Sequence, residues 1–247
     1  MSPSVLSIAG SDPSGGAGIQ ADLKTFSAHK VYGMAIPTLL TVQNSTGVLA
    51  VHQLPAKLIA EQLNYLLDDI PPSVIKIGAL GSLEIISVLV ELLSARQIPI
   101  VLDPVLFSSS GAELLAENAR ELLIEKLIPL CTIITPNQLE YKQLFPQKTP
   151  SCFCLLTDGE GSDDIVCTER LISPLGEETR FTHLRLNRRN THGTGCTLSS
   201  AIASQLALGL SVSEACREAI AYVYRLLERS DQYDLGSGRG GLGHEFF

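Results

Sequence analysis

Six short apolar runs punctuate the chain, most of them closed by a polar or turn-forming residue. They are VLSIAG near Val5, AIPTLLTVQN near Ala35, VIKIGAL near Val74, IPIVLDPV near Ile98, LCTIITPN near Leu130 and CFCLLTDG near Cys152. Apolar on both faces rather than alternating, they predict strands buried in a parallel sheet. Between them, apolar positions recur at helical spacing over 55–69 (PAKLIAEQLNYLLDD), 83–97 (LEIISVLVELLSARQ) and 112–130. Strand then helix, repeated, predicts a three-layer α/β/α fold around a mostly parallel sheet. Over 163–186 the segments shorten to DDIVCTERLI and ETRFTHLRL, which predict an antiparallel hairpin at the sheet edge. Helices over 194–208 and 213–229 are predicted to close the chain. No linker composition interrupts the pattern, so residues 1–247 read as a single domain. The last stretch, GSGRGGLGHEFF, reads either as a loose tail or as a flap that docks on the body.

Composition narrows the function classes. Of 247 residues, 45% are hydrophobic and 18% charged, which suits a globular enzyme with a sizeable core. A formal charge of −8, with no basic cluster beyond Arg185, Arg188 and Arg189, argues against nucleic acid as a partner. No run approaches the roughly 20 apolar residues of a membrane span, and no basic segment precedes a cleavable apolar core, so a cytoplasmic protein is expected. The cysteines at 131, 152, 154, 167, 196 and 216 offer only one close pair, Cys152 and Cys154, with no second pair to complete a zinc site. Five read as small apolar core residues. Cys196 stands apart.

Two glycine-rich stretches carry the candidate chemistry. The first, Gly10 to Asp22 (GSDPSGGAGIQAD), joins a strand-like run to a helix-like one. Such a loop is either a plain turn or a place where backbone approaches a ligand closely. It matches neither the Walker pattern nor G-x-G-x-x-G. The second, Asn190 to Thr197 (NTHGTGCT), opens the small-residue helix LSSAIASQLALG. Its glycines free amides at a helix start, where unsatisfied N–H groups and the helix dipole attract anions. An anion hole plus a base for an acceptor hydroxyl is most of what a small-molecule kinase requires. Cys196 is the candidate base: a free thiol titrates at about 8.5 and a helix N-terminus lowers it. The alternative is an inert cysteine capping a helix turn. For His192, holding the loop is the simpler role. Gln43 and Asn44, Lys76, Asp103 and Asn137 lie in or just after successive strands, where ligands gather in parallel sheets.

At this point the residues resemble a known family. AGSDPSGGAGIQADLKTFSA with NTHGTGCTLSSAIAS, in that order and accompanied by KIGAL, LDPV, SSG and ITPN with Glu140, is similar to the hydroxymethylpyrimidine and phosphomethylpyrimidine kinases of thiamine biosynthesis, within the ribokinase-like superfamily. The resemblance implies a ribokinase-like fold, ATP as co-substrate, Mg²⁺ and a homodimer. It implies Gly10, Asp22 and Gln43 as polar acceptor contacts, with Val42 and Val105 as apolar walls. It gives the amides of Gly193, Thr194 and Gly195 the transferring phosphoryl group, with Cys196 as base. Asn137, Arg189 and Thr191 would meet the nucleotide, and Asp103 and Glu140 the metal.

The chain also departs from the family pattern. Thr157-Asp158-Gly159-Glu160 replaces K-G-G-H after the CFCLL strand, the segment between Glu140 and Cys152 reads as shortened, Ala79 replaces Met, and Ser109 stands where Lys often precedes S-G. These changes remove positive charge and widen the pocket, and predict monophosphate formation with an impaired second phosphorylation. Pyridoxal kinase, which shares the opening element, is the rival enzyme. A non-catalytic binding protein on the same scaffold is the rival of another class.

Overall fold

In a computed structural model whose described residues are 2–108, 111–146, 149–157 and 165–244, the predicted strands and the closing helices are all found. The strands are β1 (Ser4–Ser11), β2 (Tyr32–Asn44), β3 (Gly47–Gln53), β4 (Val74–Ile77), β5 (Ile100–Leu102), β6 (Ile133–Ile134), β7 (Phe153–Leu156), β8 (Val166–Ile172) and β9 (Glu178–Leu184). They form one sheet in the order β3-β2-β1-β4-β5-β6-β7-β8-β9. β2, β1, β4, β5, β6 and β7 run parallel to their neighbours. β3 pairs antiparallel at one edge and the β8–β9 hairpin at the other.

The helices are α1 (Gly18–Ala28), α2 (Ala56–Asp69), α3 (Leu83–Leu93), α4 (Arg120–Leu122), α5 (Gln138–Leu144), α6 (Thr194–Ala207) and α7 (Val212–Arg229). Alternation along the strands separates two cores. Leu6, Ile8, Ile75, Ile77 and Leu102 face Leu63 of α2 and Leu89 of α3. Val5, Val74, Val101 and Ile133 face Phe26 of α1, Ala201 and Ile202 of α6 and Ala219 of α7. No helix among the described residues is long and apolar enough to cross a membrane.

Two elements differ from expectation. The predicted helix over 112–130 becomes 3-10 turns, the single turn α4, a π stretch (Leu123–Leu127) and a last 3-10 turn that carries Pro129, which has no N–H to continue a regular ladder. β3 was not predicted. The outer half of β2 leaves the buried sheet, with Leu40 and Val42 each 44% exposed, and turns back through Ser45 and Thr46 as a hairpin. Asp158, Gly159, Glu160, Ser109 and the terminal pair Phe246-Phe247 lie outside the described residues.

Candidate active site

The second glycine stretch does open a helix. Gly193, at φ +82°, caps α6 in the left-handed region that favours glycine, and no side chain caps the helix end. The Thr194 N–H turns back to the Thr191 carbonyl at 3.3 Å, so the amides that follow it, Gly195 and Cys196, are the ones placed to suit an external anion. The inward side of α6 is built from Ser199, Ser200, Ala201, Ala203 and Ser204, all buried, which lets the helix lie close against α1 and the sheet.

The opening glycines answer a packing need that the sequence left open. A Cβ at Gly193 would collide with the Gly16 carbonyl oxygen, one at Gly16 with the His192 ring, and one at Gly18 with the Gly10 carbonyl oxygen. The close approach is therefore loop against loop. His192 ties the two stretches: its Nε2 lies 2.8 Å from Asp12 Oδ2 and 3.0 Å from the Gln43 side-chain amide. Asp12 also accepts from Ser14 and from the Ala17 N–H. Burial alone pushes its carboxyl up, but the hydrogen bonds from His192 and Ser14 outweigh it and hold the group below the usual carboxylate range. His192 thus holds the loop, and Asp12 is a site residue the sequence reading missed.

Beneath these loops lies a buried ion pair. Lys76 and Asp22 are both fully buried, with Nζ 2.9 and 3.0 Å from the carboxylate oxygens. Ser7 Oγ (2.6 Å) and Ser200 Oγ (2.7 Å) also donate to Asp22. One carboxylate thereby joins α1, β1, β4 and α6 directly under the start of α6. Burial, the largest single influence, works against the Lys76 ammonium, but the Asp22, Cys196 and Asp103 charges and the Asp22 hydrogen bonds together outweigh it and hold it protonated. Asp22 was expected to contact the acceptor. Its full burial and saturated oxygens make it a support for the site instead.

Cys196 is partly exposed, whereas the other five cysteines are buried free thiols, as expected. The expected lowering of its pKa is not found. Loss of hydration pushes the thiol up to about 12; the Lys76 ammonium pulls down, the Asp103 and Asp22 charges push up again, and the Gly18 N–H donates to sulfur. Desolvation outweighs the helix end.

Asn137 and Glu140 form a capping box on α5: Asn137 Oδ1 accepts the Glu140 N–H and Glu140 Oε2 the Asn137 N–H, each at 2.9 Å. The box fixes Glu140, 7% exposed, within the field of Asp103, 5% exposed. Burial first, and then the Asp103 charge, push Glu140 up to about 8; burial likewise pushes Asp103 up to about 6 against the pull of Lys76. Asp103 also lies under the α6 start, since a Cβ at Gly195 would be 3.7 Å from its Oδ2.

On the acceptor side, the β2–β3 pairing shifts between Val42 and Gln43, where Leu49 is the extra residue on β3. Gly10 sits against Leu39 and Ala79, and Val105 is half-buried after β5. Thr191 offers its carbonyl to Thr194 Oγ1 at 2.7 Å.

Arg189 is bound to the C-terminal segment. Its Nε and Nη2 donate to the carbonyls of Gly238 (3.1 Å) and Gly236 (2.7 Å), so its charge serves the C-terminal segment. That segment is docked. Gly240 N–H donates to Asn190 Oδ1 and its carbonyl accepts the His192 N–H; Leu242 is fully buried, and His244 Nε2 lies 2.8 Å from Thr197 Oγ1.

The profile of the family described as phosphomethylpyrimidine kinase matches residues 12–152 and 151–243, two stretches that meet where the chain reads as shortened. A hydroxymethylpyrimidine/phosphomethylpyrimidine kinase of Streptomyces coelicolor is 38% identical over 98% of this chain and 94% of its own. The 2.06 Å crystal structure of phosphomethylpyrimidine kinase from Clostridium difficile 630 superposes with a TM-score of 0.77 at 39% identity, over 90% of this chain and 98% of its own. A Staphylococcus aureus pyridoxal kinase in complex with AMP-PCP and pyridoxal superposes at 0.87 with 29% identity, over 99% and 94%.

Proposed function

Because the chain belongs to the phosphomethylpyrimidine kinase family, we propose that it transfers the γ-phosphoryl group of ATP to 4-amino-5-hydroxymethyl-2-methylpyrimidine and, more slowly, to its monophosphate, in thiamine biosynthesis or salvage. The observation that carries this reading is the uncapped start of α6 with Cys196 in its first turn. Val42, Gln43, Val105 and Gly10 form the acceptor wall, and the Gln43 amide presents both a donor and an acceptor to an aminopyrimidine edge.

The α6 amides stabilise charge that grows on the equatorial oxygens of the transferred group. As the acceptor oxygen bonds to phosphorus and the bridge to ADP breaks, the hydroxyl proton passes to Cys196 Sγ. With the thiol at about 12, the thiolate is scarce near neutrality, and the buried Lys76 ammonium raises its fraction.

Mg²⁺ fits the acid pair. Asp103 and Glu140 are buried, repel one another and would be relieved by a cation. Among the described residues no group of three or more His, Cys, Asp or Glu is gathered for a metal. Two carboxylates completed by phosphates and water suit Mg²⁺. When bound it neutralises charge on the β- and γ-phosphates. A cytoplasmic homodimer is part of the proposal, and a sedimentation mass of one chain would contradict the dimer.

The test is transfer of label from γ-labelled ATP to the pyrimidine by the native protein and by Gly193→Ala, whose Cβ would strike Gly16. Transfer by the native protein, lost in the variant, is expected; equal rates would remove the α6 start from the mechanism. Pyridoxal phosphorylation is the second reading, favoured by the higher superposition of pyridoxal kinase.

A further inference from the structure

A cavity of about 460 Å³ opens between the β2–β3 turn and the C-terminal segment. Its walls are residues 43–47 on one side and Ser237, Gly238 and Arg239 on the other, with Arg189 and His192 at the back. Among the described residues the lining holds two arginines and no carboxylate. Acids stand behind it: Asp12 Oδ2 is 2.8 Å from His192 Nε2 and Asp231 Oδ1 accepts the Arg189 N–H at 3.0 Å, while Asp234, 3.7 Å from the Arg189 guanidinium, is 92% exposed, where solvent screens it. Hydroxyls of Ser45, Thr46 and Ser237 complete a lining rich in polar groups.

The walls are already held together. Ser45 Oγ accepts the Gly238 N–H at 3.1 Å and the Ser45 carbonyl accepts the Arg239 N–H at 2.9 Å. Arg189 is anchored through two of its five N–H donors, so its charge is fixed beside the cavity. Gln43 and His192 belong both to this cavity and to the catalytic loops, since His192 precedes the Gly193 cap.

We propose that this cavity is a second anion site, taking a phosphate or diphosphate group carried by a small molecule and separate from the α6 amides. Guanidinium groups recognise phosphate oxygens in forked geometry, and a carboxylate-free, hydroxyl-lined cavity complements such a ligand. The site rests on the kinase reading only for where its ligand comes from. One source is the phosphorylated acceptor or product of this enzyme, reaching out past Gln43. The other is a free phosphorylated compound.

The probe is inorganic pyrophosphate, measured by calorimetry on the full chain with the nucleotide site saturated by Mg²⁺ and a non-transferable ATP analogue. The native protein should bind one equivalent, and Arg239→Gln and Thr46→Glu should each weaken binding at least tenfold. Both positions are exposed, and turnover of the unphosphorylated pyrimidine should stay within about threefold in both variants, which establishes that they fold. No binding once the nucleotide site is filled, or equal binding in all three proteins, would overturn the proposal. Competition by the pyrimidine monophosphate but not by the alcohol would assign the phosphate to the acceptor; competition by neither would assign it to a free compound. If no pyrimidine is turned over, folding is read from circular dichroism, and pyrophosphate binding that is still lost in the variants would support the site while the pyrimidine reading falls.

Discussion

Replacing Lys76 by Met keeps the length of the side chain and removes its charge, leaving Asp22 buried with only Ser7 and Ser200 as donors. The pair is fully enclosed, its closest approach is 2.9 Å, and four elements meet on it. Breaking a buried pair by removing one partner costs about 3–5 kcal/mol, because the other charge is stranded. Against a total stability on the order of 5–15 kcal/mol, that is a large fraction. Urea unfolding followed by far-UV circular dichroism should show the loss as a lower midpoint at unchanged slope. The double variant Asp22→Asn, Lys76→Met strands no charge and should recover at least half of the loss. The same substitution removes the cation that favours the Cys196 thiolate, so alkylation of Cys196 should be slower at every pH below its titration. A loss under about 1 kcal/mol for Lys76→Met, or a double variant no better than the single one, would refute the keystone role of this pair.

Three other outcomes are expected. Cys196→Ala should lower kcat by about 10² to 10⁴-fold with acceptor KM little changed, and native kcat should still rise above pH 8 because the thiol stands at about 12; a fall under threefold would remove Cys196 as base. Glu140 at about 8 and Asp103 at about 6 lie above the roughly 4 of unfolded carboxyls. The folded state therefore holds extra protons, and the stability tied to these groups is lost as pH rises from about 4 through 8. Glu140→Gln keeps the capping box, so its stability relative to the native protein, measured without divalent ions, should increase from pH 5 to 9; a constant difference would contradict the shift. Arg189→Ala should expose the C-terminal segment to proteolysis while the KM for ATP moves less than about twofold; a tenfold rise would return Arg189 to the nucleotide.

The sheet was legible because its strands are buried on both faces, so VIKI and IVL announce themselves without an alternating pattern. β3 was not, although it carries the apolar run Val48 to Val51: the run follows a turn directly after β2, and its Leu49 is 86% exposed at the sheet edge rather than buried on both faces. At residues 117–130 helical periodicity survives while the backbone is irregular, because side-chain spacing reports a face and not the hydrogen-bond ladder. The glycine-capped start of α6 was readable from glycines ahead of a small-residue stretch. The contact of Asp12 with His192 spans 180 positions and was not. Asn137 and Glu140 carry a cap pattern, N-x-x-E, whose plain structural meaning coexists with the acid pair it positions. Lys76, a lone cation inside VIKIGAL, read only as one of the polar residues where ligands gather; its burial and its pairing with Asp22 needed the fold.

The most direct test of the account is product formation from Mg²⁺ and ATP with hydroxymethylpyrimidine, its monophosphate and pyridoxal measured side by side. Fast conversion of the pyrimidine alcohol, slower conversion of its monophosphate, and pyridoxal last is the expected order. Faster turnover of pyridoxal than of either pyrimidine would contradict it.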